Sequence, residues 1–148
     1  MPSYATEAEA TAYFDTEVLH SEPWDGASSG DRTIALAQAT TIMDRLNYYG
    51  EKADESQVNQ FPRADDTAVP EDIKNASAEI AMALLDGVDP ELEFENLAMI
   101  SQGFGNVRST YDRRMARPHI LAGVPSVKAW RFIVPYVRDE RHIAMDRV

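Results

Sequence analysis

The chain has 148 residues, 44% of them hydrophobic, no cysteine, and 25 acidic against 14 basic residues for a formal net charge of −11. That length holds one domain with a real core, and the lack of cysteine excludes disulfide scaffolds, thiol catalysis and cysteine-ligated metals and fits a reducing compartment. Its acidity disfavours general wrapping of nucleic acid, because the average field repels phosphate.

A first helix is predicted from Thr6 to His20. Thr6 and Glu9 have capping-box spacing, and Ala10, Tyr13, Phe14, Glu17 and Val18 recur at helical intervals. Pro23, Gly26 and Ser28-Ser29-Gly30 break the chain into a loop carrying Trp24. Asp31 is the expected N-cap of a second helix running to Tyr49, with Gly50 just past its end. Ala35, Ala39, Ile42, Met43 and Leu46 form its apolar stripe. The polar stretch from Glu51 to Val69 reads as a long loop that needs its own anchors, and Phe61-Pro62 is the expected one. Pro70, Glu71 and Asp72 open a third helix with a stripe of Ile73, Ala76, Ile80, Ala83, Leu84 and Leu85, stopped by Gly87. Asp89-Pro90 can open a short turn through Phe94.

From Leu97 the period changes. Leu97–Gln102 and Asn106–Tyr111 read as two short strands of a hairpin around Gly103-Phe104-Gly105. Asp112–Gly123 reads as a basic, irregular connection. A last helix from Ser126 carries Val127, Trp130, Ile133 and Val134, and Pro135 must end or bend it because it lacks an amide hydrogen. The expected fold is mainly α, a small bundle of about four helices with a short β-hairpin and an extended C-terminal arm. Residues 1–137 would be the domain and 138–148 the arm.

Little in the chain points to catalysis. His20, His119 and His142 are far apart, in no metal-ligand spacing, and read as surface or capping residues. Asp65-Asp66 and Glu91, Glu93 and Glu95 lack the spaced oxygens and glycine of a calcium loop. Gly103-Phe104-Gly105 is too short for a phosphate cradle, and Asn75-Ala76-Ser77 is a chance sequon inside a helix. No catalytic, cofactor-binding or metal-binding residue is nominated, and the chain reads as a non-enzyme. No apolar run approaches the roughly 20 residues of a membrane span. Met1–Glu9 is acidic where a secretory signal is basic, so export by that route is not expected.

The charge is uneven. Residues 1–107 hold 21 of the acids and five basic groups, whereas 108–148 hold nine basic groups and four acids. Such asymmetry suggests two surfaces with different tasks, or contacts between copies of the chain. Arg108, Arg113, Arg114 and Arg117, with Lys128 and Arg131 downstream, form the one basic patch. With Phe104, Tyr111 and Trp130 it could hold single-stranded nucleic acid by stacking and charge. The other reading pairs these arginines with acids of the same chain or of a neighbouring subunit.

Several short segments, in order, carry a resemblance across residues 4–137. They are Tyr4-Ala5-Thr6, a helix ending near His20, Trp24 in the first loop, and Ala35, Ala39 and Met43-Asp44 on the next helix. Phe61-Pro62-Arg63, the Val69-Pro70-x-x-Ile73-Lys74-x-Ala76 helix start, and Pro125-Ser126-Val127-x-Ala129-Trp130 with Pro135-Tyr136 complete the set. The chain resembles the head-to-tail connector (adaptor, or head-completion) proteins of tailed bacteriophages, some of which carry a DnaT-like single-stranded-DNA-binding label. The resemblance implies a structural virion protein of the neck, made in the host bacterial cytoplasm and assembled as a ring of about a dozen copies. It implies a portal protein on one side, a tail or neck component on the other, and genomic double-stranded DNA passing through without tight binding. There is no cofactor and no membrane in this picture. Trp24, Phe61, Pro62 and Arg63 would be loop anchors, and Arg108, Arg113, Arg114 and Arg117 subunit contacts. Arg138, Arg141, His142, Ile143, Met145 and Arg147 would lie on the arm that reaches the portal.

Overall fold

The computed structural model describes residues 2–98, 101–104, 107–110 and 118–138. The protein is mainly helical. Its elements are α1 (Glu7–Glu17), α2 (Glu22–Asp25), α3 (Ser29–Asp44), α4 (Glu71–Leu85), α5 (Pro90–Ala98), β1 (Ser101–Phe104), β2 (Val107–Thr110), α6 (Pro118–Leu121) and α7 (Val127–Ile133). A 3-10 turn, Val134–Tyr136, follows α7.

Helix α4 is the centre of the body. It packs against α1, α2, α3 and α7, so nearly every face of its first three turns is covered. The composition makes this possible. Ala76, Ala78 and Ala81 let neighbouring backbones approach, while Ile73 and Ile80 fill the space between them; all five are completely buried. Each such isoleucine contributes roughly 1.5–3 kcal/mol relative to exposure. The surrounding helices supply Phe14, Leu36, Ala39, Met43, Ala129 and Ile133 to the same cluster.

The helix ends show which local signals won. Thr6 and Glu9 make the complete capping box at the start of α1. That helix stops at Glu17 rather than His20, because β-branched Val18 takes an extended conformation while its amide still bonds Phe14. The link beyond it is no plain loop, since Pro23 and Trp24 lie in the single turn α2. Ser28, not Asp31, caps α3: its hydroxyl accepts the Asp31 amide, leaving Asp31 in the first turn.

Helix α3 ends at Asp44, five residues before the predicted Tyr49. The Tyr48 side chain turns back and donates to the Met43 carbonyl at 2.7 Å, capping the last turn. Gly50 has a φ of +75° but lies outside the helix. Pro70 is the N-cap of α4 rather than its first helical residue. Gly87 follows α4 with a φ of +90°, a conformation that favours glycine.

Beyond α4, the Asp89 carboxylate accepts the amides of Glu91 and Leu92, and α5 runs past Phe94 to Ala98. Leu97 and Ala98 are therefore helical, not part of a strand. β1 and β2 are antiparallel, with Ser101 opposite Thr110 and Phe104 opposite Val107. The predicted irregular connection contains the turn α6, on which His119 is buried rather than on the surface. Ser126 caps α7, and after Ile133 the helix gives way to the 3-10 turn that contains Pro135.

Candidate functional site

Residues 45–70 contain no helix, yet they are tied to the body at both ends and in the middle. Phe61 is buried and edge-on to three rings, those of Tyr4, Tyr48 and Tyr136, with centroids 4.7–5.9 Å away. The Tyr4 hydroxyl donates to Asp44 Oδ1 and accepts the amides of Gln60 at 3.0 Å and Phe61 at 3.2 Å. Burial raises the Tyr4 phenol well above its ordinary pKa, and the hydrogen bond to Asp44 adds to the shift.

Arg63 works inward rather than outward. Its guanidinium donates to the carbonyls of Tyr49, Gly50 and Gln60 and to Gln60 Oε1. Asn59 reaches the Pro2 carbonyl at 2.6 Å. On the opposite side, Tyr49 and Asn47 pair with Tyr136 and Arg138 in a short antiparallel ladder around the Tyr48–Val137 bridge. Leu46, Asn47, Tyr48, Gly50, Gln60, Arg63 and Arg138 enclose a cleft of about 440 Å³ beside it.

Trp24 is completely buried, its Nε1 donating to Thr11 Oγ1 at 3.1 Å. Arg32 lies over its ring at 5.2 Å, donates to its carbonyl, and bonds Glu7 at 3.2 Å. The hydroxyl of Ser29 and the charge of Arg32 hold the Glu7 carboxyl below its usual pKa. Trp24 and Phe61 thus anchor two different connections between helices.

A polar contact lies inside the body. Glu79 on α4 is 4% exposed; its Oε1 accepts the Tyr13 hydroxyl at 2.7 Å and meets Lys128 Nζ at 3.1 Å. Burial and the Glu79 hydrogen bond raise the Tyr13 phenol. Glu79 also lines a second cleft of about 510 Å³, together with His20, Glu22, Met82, Asp86, Val88, Pro125 and Ser126.

The described cations are largely engaged within the chain. Arg32, Arg45, Lys74 and Lys128 each meet a carboxylate, and Lys52 and Arg63 bond backbone carbonyls. Lys128, counted in the basic patch from its sequence neighbourhood, is therefore an internal partner of Glu79. Arg108 is placed only as a backbone position of β2, opposite Gly103. Arg113, Arg114 and Arg117 lie outside the described residues, as do Arg141, His142, Ile143, Met145 and Arg147. Arg138 is described, and its amide is fixed to Asn47 at 2.9 Å.

Sequence reasoning named Asp44 only within a resemblance motif and did not single out Glu79. Glu79 meets Tyr13 across 66 residues, and no local pattern signals such a partner. Among the described residues, no group of three or more His, Asp or Glu is placed to hold a metal ion, and no helix is long and apolar enough to cross a membrane.

The body is mainly helical, and its longest connection is bolted to it by aromatic side chains. The chain is a member of the family described as "Putative DnaT-like ssDNA binding protein", whose model matches residues 1–131. No curated protein and no solved structure matches it.

Proposed function

We propose that the protein is a non-catalytic structural subunit that forms a ring, of the kind that joins the head and tail of a tailed bacteriophage. The observation that carries this reading is the engagement of six cations by groups of the same acidic chain. Such a body offers phosphate little to hold, and an acidic channel lining lets a genome pass without sticking. The order of short motifs from Tyr4 to Tyr136 supports the connector assignment. The ring would have about twelve copies, with a portal protein on one side and a tail component on the other.

The arm beyond Arg138 would dock on the portal through Arg141, His142, Ile143, Met145 and Arg147. Its larger apolar residues, Ile143, Met145 and Val148, gain most from a partner's surface. Arg138 itself, tied to Asn47, stays with the body.

A second reading, single-stranded DNA binding, draws on the family description and on Arg108, Arg113, Arg114 and Arg117. Two measurements separate them. Electron microscopy and native mass spectrometry of the full chain are expected to show closed rings. Fluorescence anisotropy with a labelled oligonucleotide at physiological salt is expected to show weak binding or none. Submicromolar binding that weakens steeply with salt, and is lost in an Arg113→Ala, Arg114→Ala, Arg117→Ala chain, favours the second reading.

A further inference from the structure

We propose that the cleft between the α1–α2 link, α4 and the start of α7 accepts a second copy of this chain, and that the exposed stripe Arg131, Val134 and Arg138 is the part that enters it. This deepens the ring reading and rests on it.

The cleft combines acidic and apolar lining. Glu22, Glu79 and Asp86 line it alongside Met82, Val88 and Pro125. Tyr13 and Lys128 both contact Oε1 of Glu79, which leaves Oε2 for a donor entering from outside. Leu19, next to the lining residue His20, is 90% exposed. A side chain with an aliphatic stem and a cationic head satisfies both features, and arginine adds a fork of donors matched to carboxylates.

The chain carries the complement. Its acids are concentrated in residues 1–107 and its cations in 108–148, so two copies attract each other when the body of one meets the C-terminal part of the next. Among the described residues, Arg131 and Arg138 are exposed and take no acid partner, unlike Arg32, Arg45, Lys74 and Lys128. Val134 lies between them in sequence and is 47% exposed. The resulting basic–apolar–basic pattern complements the acidic and apolar lining of the cleft. Cleft and stripe are different patches of one subunit, so the contact is heterologous, the type that closes rings when its rotation divides a full turn.

The test reverses each half separately. One chain carries Glu22→Arg and Asp86→Arg, the other Arg131→Glu and Arg138→Glu. All four side chains are exposed, so circular dichroism and thermal melting should match the parent. In sedimentation velocity and native mass spectrometry, each variant alone should lose the ring at concentrations where the parent is fully assembled. Mixing the two variants should restore complexes containing both. If the parent forms rings and both variants do so equally well, this contact is wrong while the ring reading stands. A parent chain that stays monomeric at every concentration overturns both.

Discussion

Helix α4 is held by apolar contacts on nearly every side, whereas residues 45–70 are held by a few side chains that reach into the body. Along α4 the fixing is shared: Ile73, Ala76, Ala78, Ile80 and Ala81 are all fully buried, and each neighbour supports the rest. In the loop it is concentrated. Phe61 meets three aromatic rings, the Tyr4 hydroxyl serves one carboxylate and two amides, and Arg63 gathers three carbonyls. A segment without repeating structure can be placed as firmly as a helix, but its stability then depends on single residues.

Substitutions can break that contrast. Phe61→Ala should have the largest effect, about 3–5 kcal/mol in denaturant unfolding, because the ring leaves a cavity bounded by Tyr4, Tyr48 and Tyr136. A Phe61→Ala chain that melts within a degree of the parent would show that the loop is held elsewhere.

Tyr4→Phe keeps the ring and removes only the hydroxyl, leaving the buried Phe61 amide without that acceptor; about 1–3 kcal/mol should be lost. The same residue has a pH signature. Burial, the first cause in each case, raises the phenols of Tyr4, Tyr13 and Tyr48, so the fold keeps protons that the unfolded chain releases near pH ~10. Stability from this source is complete below that pH and falls above it. Denaturant melts between about pH 8 and pH 11 should show the decline, with a shallower slope in Tyr4→Phe. An identical slope in both chains would remove Tyr4 from the explanation.

Ile80→Val on α4 should have the smallest effect, about 0.5–1.5 kcal/mol by thermal melting, because one methylene leaves a well-supported helix. A loss as large as that of Phe61→Ala would erase the distinction between shared and concentrated fixing.

The same contrast explains what could be read from the chain. The helical frame was legible because periodicity and caps are local: Thr6 with Glu9, the Ile73–Ala76–Ile80 stripe and Ser126 all act within a turn or two. The end of α3 was not legible. Helix-compatible residues run on past Asp44, and the Tyr48 hydroxyl that caps the helix has no sequence signature. Phe61 stood out as an aromatic inside a polar stretch, but two of its three ring partners, Tyr4 and Tyr136, come from more than 50 residues away on either side. The acid-lined cleft had no signal at all, since Glu22, Glu79 and Asp86 come together only when α2 packs on α4.

Phe61 also has a mechanical meaning. It touches Tyr4, near one end of the chain, and Tyr136, near the other, while Asn59 holds Pro2 and Asn47 holds Arg138. The segment from Asn47 to Phe61 therefore works as a buckle joining the two ends. Tension applied between residues 2 and 138 is taken up first by these hydrogen bonds and ring contacts, and α4 lies behind the buckle, out of the first line of force.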